Sequence, residues 1–167
     1  MKLQGEGFTI RRGAASEIDV AWAIWNDANI AAGRGPASAA TLARIRQRLS
    51  LSSTTLLFAD GDREAVGVTI LAQAREKSGK GALIDALGHI STVAVKPSHW
   101  GRGIAQLLLK EALRDASLRK YGRVQLFVNG WNTRAMRLYE FVGFRQTADQ
   151  QFDDYGKVMY RYEVTLK

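Results

Sequence analysis

The segment from Val93 to Leu108, Val-Ala-Val-Lys-Pro-Ser-His-Trp-Gly-Arg-Gly-Ile-Ala-Gln-Leu-Leu, holds residues whose types and spacing suit phosphate chemistry. Its opening is apolar and strand-like, and Pro97 removes a ladder donor and stops the strand. Gly101 and Gly103 then precede Ile104, Leu108 and Ala112, with Leu107 beside them, which is helical spacing. A strand that turns through glycines into a helix aims backbone N–H groups and the positive end of the helix dipole at one point, where an anion binds. Glycine is required there because a side chain would hold the phosphate away. Two loops of this kind fail on detail. A P-loop would end in Gly-Lys-Ser/Thr, which is absent. A dinucleotide fingerprint would start at Gly101 and Gly103 but meets Gln106 where a small residue belongs, and Asn129 where an acid should close the next strand.

Other chemistries are narrower still. The chain has no cysteine, so it offers no thiolate nucleophile, no disulfide and no cysteine-bound metal. Ser91 and Ser98 lie near His89 and His99, but no Gly-x-Ser-x-Gly elbow surrounds either serine. Two histidines without a third ligand do not make a metal site.

The elements that must position the loop follow from pattern. Phe8 to Arg12 reads as a strand, and Ser16 with Asp19 as a capping box opening a helix. Ile18, Trp22 and Trp25 fall on one stripe of that helix, so the tryptophans read as core. Gly33-Arg34-Gly35-Pro36 breaks the chain, and Ser38 caps a second helix through about Leu49. Thr55 to Ala59 and Ala65 to Leu71 flank Asp60-Gly61-Asp62 as an antiparallel hairpin. A polar, flexible stretch from Arg75 to Gly81 precedes a strand from Ile84 to Val95. After the glycine-led helix, Val124 to Val128 returns as a strand, and strand, helix, strand in succession predict a right-handed parallel crossover. Asn132 caps a helix that carries Ala135, Leu138, Tyr139 and Val142 on one face and stops at Gly143. Phe144 to Ala148 and Lys157 to Val164 are closing strands joined through Asp153-Asp154-Tyr155-Gly156.

The loop resembles the coenzyme A pyrophosphate motif of the GNAT acetyltransferases, in which Gln or Arg, two arbitrary residues, Gly, one arbitrary residue and Gly or Ala cradle the diphosphate; Gly103 and Ala105 match, and Trp100 departs at the Gln/Arg position. One strand later, Asn132-Thr-Arg-Ala135-Met-Arg-Leu138-Tyr139-Glu-Phe-Val-Gly143-Phe144 resembles the family's Asn-x-x-Ala-x-x-Leu-Tyr-x-x-x-Gly-Phe at every named position. The resemblance covers Leu87 to Phe144 well, and the flanks through the order of elements.

That resemblance implies an α/β fold of α+β type: a mixed, mostly antiparallel sheet, helices on both faces and a splayed central parallel pair. It implies an acetyl-CoA-dependent N-acetyltransferase acting on a primary amine, of a small molecule or a peptide N-terminus. Coenzyme A contacts are expected from Val93, Ala94, Val95, Trp100, Gly101, Arg102, Gly103, Ile104, Ala105, Gln106, Asn132, Ala135 and Tyr139, with backbone groups of Val93 and Val95 pairing with the pantetheine arm. Tyr139 takes the acid role toward the leaving thiolate. A lysine-like amine, with a pKa of about 10.4, must lose a proton before it attacks, through a base or a chain of waters. His89 is the candidate base: His89-Ile90-Ser91 resembles, in its first residue, the His-x-His of aralkylamine acetyltransferases. Asp85 and Glu76 are weaker alternatives. Without a cysteine, transfer is direct, in a ternary complex. A non-catalytic acyl-CoA-binding or sensor module of the same fold is the alternative.

Length and composition set the outer bounds. At 167 residues, 46% hydrophobic and 24% charged, the chain reads as one domain over 1–167. Met1 to Ile10 lacks an apolar leader core, and no run is long and apolar enough to span a membrane, so the cytoplasm is the expected compartment. The net charge of +8 suits an anionic partner, nucleic acid or a phosphorylated cofactor, but the basic residues are scattered and the densest group, Arg44, Arg46 and Arg48, reads as a solvated helix face, so no nucleic acid is expected. No metal is expected. A homodimer and pocket-lining roles for Trp22, Trp25, Asn29, Tyr155 and Tyr160 are family-level expectations.

Overall fold

A computed structural model describes residues 4–5, 7–51 and 53–167. The run Met1–Leu3 and Glu6, part of the segment read above for a leader, lie outside the described residues. The elements in chain order are β1 (Gln4–Gly5), β2 (Phe8–Arg12), α1 (Ile18–Ala31), α2 (Ala39–Leu49), β3 (Thr55–Asp60), β4 (Ala65–Arg75), α3 (Glu76–Gly79), β5 (Leu83–Val95), α4 (Ile104–Leu118), β6 (Arg123–Asn129), α5 (Thr133–Val142), β7 (Arg145–Phe152) and β8 (Val158–Thr165). The strands hydrogen-bond in the order β1-β2-β3-β4-β5-β6-β8-β7. β5 and β6 are parallel, and the other recorded pairings are antiparallel. This is the fold class the sequence predicts.

The chain divides into two compact units, one of Met1–Ala72 with Thr92–Ala112 and the other of Gln73–Ser91 with Leu113–Lys167. In the first, Ile18, Ala21, Ile24, Ile45, Leu56, Phe58, Val68, Ile70 and Ala94 form a buried core. Trp22 and Trp25 are only partly buried, packed against that core and edge-to-face with each other at 5.3 Å. The deep stripe of α1 is therefore Ile18, Ala21 and Ile24, one residue displaced from the tryptophan stripe that the spacing predicts. The start of α1 also differs. A single 3-10 turn, Ala15–Glu17, leads into it, and the Ala14 N–H donates to Glu17 Oε1 at 3.0 Å, so Glu17 and not the Ser16–Asp19 pair closes the helix start. Arg11 holds Glu17 in that position with a 3.0 Å ion pair. α2 begins as expected, with Ser38 Oγ accepting from the Thr41 N–H at 3.2 Å.

In the second unit, Leu87, Ile90, Val124, Leu126, Val128, Phe144 and Tyr162 are buried. β8 lies between β6 and β7 in the strand order. The stretch predicted to be flexible at 75–81 holds the single turn α3, closed by the Gly81 N–H bonding back to the Glu76 carbonyl at 2.8 Å.

Candidate active site

Within the first unit, the loop between β5 and α4 is fixed from three sides. Gly67 on β4 lets α4 come close: a Cβ built there would stand 3.0 Å from both Ile104 Cγ2 and Leu108 Cδ1. That contact sets the helix start against the sheet. Phe8 on β2 then receives two loop residues, the Arg102 guanidinium 4.8 Å above its ring and the His99 ring edge-on at 6.0 Å. Trp100 supplies the third tie. Its indole N–H donates to the Val95 carbonyl at 2.7 Å while the side chain stays 39 % exposed in relative terms for the residue.

The loop fits a diphosphate. Gly101 and Gly103 have φ of 77° and 78°, the left-handed region open to glycine. The first helical bond of α4 runs from the Leu107 N–H to the Gly103 carbonyl at 3.2 Å, so the amides of Ile104, Ala105 and Gln106 are left without an intrahelical partner. A Cβ at Gly103 would meet no protein atom within 4 Å, which leaves the cradle open at the point a ligand must approach.

β5 offers a second feature. Its parallel register with β6 runs from Leu87↔Arg123 to Ile90↔Leu126, and β5 continues to Val95 beyond it. The alternation of the strand buries Ile90, Thr92 and Ala94 and leaves His89, Ser91 and Val93 on the half-buried face. On the core face, the Thr92 carbonyl accepts from Thr69 Oγ1 at 2.8 Å. On the other, Ser91 Oγ is buried and has no hydrogen-bond partner among the described residues. An orphaned hydroxyl is costly unless a ligand or water completes it. The unmet hydrogen bond of Ser91 is a signal that only the fold reveals.

Of the expected coenzyme A residues, Val93 to Val95 and Trp100 to Gln106 all belong to this first unit. One adjustment is needed: the Val95 carbonyl already accepts from Trp100, so Val95 retains one of its two lone-pair sites for anything else.

The second unit holds the remaining candidates: His89, Asn132, Ala135 and Tyr139, with Asp85 and Glu76. Asn132 caps α5, its Oδ1 accepting from the Ala135 N–H at 3.1 Å, which leaves its two Nδ2 hydrogens for a ligand. Tyr139 is 8 % exposed, with Phe144 edge-on at 6.0 Å and Tyr162 tilted at 6.4 Å. Burial, reinforced by the Glu140 charge, pushes the neighbouring Tyr162 phenol above its ordinary range. His89 on β5 has Nδ1 3.3 Å from Gln125 Nε2 and lies 6.1 Å from the Phe127 ring. At the end of β6, buried Asn129 donates to Asp153 Oδ2 at 2.8 Å and pins the turn that carries Tyr155. Asn29, a suggested pocket residue of the first unit, instead accepts from Arg34 at 3.3 Å and is buried. Among the described residues, no cluster of three or more His, Cys, Asp or Glu has metal-binding geometry, and no helix is long and apolar enough to cross a membrane.

Comparison with known proteins adds a family. The model of the acetyltransferase (GNAT) family matches residues 21–144. Mycothiol acetyltransferases of Kineococcus radiotolerans and Beutenbergia cavernae are each 41% identical to the chain, over 64 and 63 residues, covering 38% of this chain and 21% of those proteins. The chain thus spans about a fifth of their length. Among solved structures, the ribosomal-protein-S18-alanine N-acetyltransferase of Escherichia coli superposes with a TM-score of 0.75 at 17% identity, over 96% of this chain and 94% of that one. An acetyltransferase candidate from Salmonella typhimurium, solved with its cofactor acetyl-CoA, gives 0.72 at 20% identity over 96% and 95%. At such identities these two likenesses show the fold alone.

Proposed function

The chain belongs to the acetyltransferase (GNAT) family, and from that premise we propose that it is an acetyl-CoA-dependent N-acetyltransferase that acetylates a primary amine directly, in a ternary complex. The observation that carries the reading is the loop before α4, with two left-handed glycines and three helix-start amides around an open cradle. The acetyl thioester of the co-substrate supplies the activated acyl group. The chain's own groups do the rest. The amides of Gly101 to Gln106 hold the diphosphate, and the edge of β5 at Val93 and Val95 bonds the extended pantetheine arm as an added strand would. The Val93 N–H polarises the thioester carbonyl, and Asn132 touches the cofactor through Nδ2. Ser91 Oγ donates to a polar atom of the bound reactants, which completes its missing bond.

As the N–C bond forms and the C–S bond breaks, Tyr139 gives its phenolic proton to the departing sulfur, and the second proton shed by the acylated nitrogen restores the phenol, directly or through water. The acceptor's ammonium has by then released its proton to a base or a chain of waters, since only the free amine has a lone pair to attack with. A cysteine-free chain has no thiol to carry the acyl group between substrates. The acceptor is a small-molecule amine or a peptide N-terminus.

The test pairs calorimetric titration of acetyl-CoA with an amine screen read by thiol release. Tyr139→Phe keeps the ring contacts with Phe144 and Tyr162 and removes the proton, so turnover should fall about a hundredfold or more with acetyl-CoA affinity unchanged. Full activity in that variant refutes the acid role. Binding without turnover on any amine would favour the non-catalytic module.

A further inference from the structure

The register of the second unit builds a polar row that the proposed chemistry does not yet use. His89 on β5 stands opposite Gln125 on β6, and Gln125 opposite Glu163 on β8. Arg161, two residues before Glu163, projects to the same face. Its Nε donates to Gln125 Oε1 at 2.7 Å, its Nη2 to Glu163, and its Nη1 lies 3.5 Å from Asp149. Arg123 adds a 3.1 Å ion pair to Glu163. A guanidinium has donors only, so the carboxamide oxygen of Gln125 must face Arg161 and its NH2 group must face the other way. That NH2 group lies 3.3 Å from His89 Nδ1. A carboxamide nitrogen donates and cannot accept, so Nδ1 must offer a lone pair. A neutral imidazole with an unprotonated Nδ1 carries its proton on Nε2.

We infer that Arg161 and Gln125 are positioning residues that hold His89 in the Nε2–H tautomer, so that it serves the acceptor side of the reaction as a fixed hydrogen-bond donor and not as the base. The role in turnover rests on the transferase reading; the tautomer does not. Protonating Nδ1 would set two N–H groups against each other, and turning Gln125 to relieve that would set its NH2 group against Arg161. Gln125 is buried, and the Arg161 side chain is 15% exposed, so water competes weakly for these bonds. The charged groups around the row, Arg161, Glu163, Arg123 and Asp149, are already engaged with one another.

The experiment is long-range 1H–15N correlation of histidine-labelled protein at about pH 8, above the ordinary imidazole range. His89 is assigned by difference from His89→Gln. The expected spectrum has Nε2 at the shift of a protonated ring nitrogen and Nδ1 at that of an unprotonated one. Gln125→Glu, which presents an acceptor to the ring, should move the proton to Nδ1. If that variant does not fold, Arg161→Met, which frees the carboxamide to rotate, should give mixed tautomers. A wild-type proton on Nδ1, or variants whose tautomer matches wild type, would overturn the assignment. These spectra need no turnover, so they stand apart from any failure of the transferase reading. Where turnover is measured, His89→Gln should lower kcat/KM by one factor at every pH; a pH limb that vanishes with His89 would make it the base.

Discussion

Replacing Gly103 with alanine separates the cost of a strained backbone from the loss of a binding site. Gly103 has φ of 78°, where a side chain costs about 1–2 kcal/mol. The new Cβ would meet no protein atom within 4 Å, so no clash adds to that strain. In a chain of this length each kcal/mol shifts the melting temperature by about 2–4 °C, which gives a fall of about 2–8 °C. Binding should suffer separately. If the open space is where the diphosphate approaches the amides, a methyl group there lifts it off at least one charged hydrogen bond, worth about 1.5–3 kcal/mol. That is a ten- to hundredfold rise in the Kd for acetyl-CoA, roughly. Gly33→Ala is the control, since Gly33 has φ of 79° and the same empty surroundings. It should melt earlier by a similar amount with Kd unchanged. Calorimetry and thermal melts on the two variants decide the matter. A Gly103→Ala protein that melts earlier yet keeps its Kd within about twofold would refute the cradle.

Trp100→Phe removes the 2.7 Å indole bond to the Val95 carbonyl, worth about 0.5–1.5 kcal/mol, and should raise the acetyl-CoA Kd about two- to tenfold; an unchanged Kd would show that the tie does not shape the loop. Ser91→Ala removes a hydroxyl with no hydrogen-bond partner among the described residues, so chemical denaturation should find stability within about 0.5 kcal/mol of wild type while kcat/KM falls several-fold. Unchanged kinetics would take Ser91 out of the reaction.

Features carried by local sequence were legible before the structure. The glycine turn into α4 and the Ser38 and Asn132 caps depend on residues a few positions apart, and the β3–β4 hairpin and the parallel β5–β6 pair follow from the order of successive elements. The features missed depend on partners far along the chain. Ser16 looked like a cap because its spacing was right, but Arg11, braced by Asp60 at 2.6 Å, recruits Glu17 to the helix start instead. The tryptophans of α1 and its Ile18–Ala21–Ile24 stripe are both helically spaced, and only the packing against Phe58, Val68 and Ile70 selects the second.

The same distinction explains why His89 was legible as a residue and not as a role. Its place on the strand before the loop was readable, and so was the suitability of an imidazole for taking a proton near neutrality. Which nitrogen is available is set by Gln125, and the direction of Gln125 is set by Arg161, each on a different strand. A one-residue slip of β6 against β5 would send Gln125 to the opposite face and release the ring. Chemistry assigned from a residue's type therefore holds only as far as the register that supplies its neighbours, and at His89 the register favours a donor.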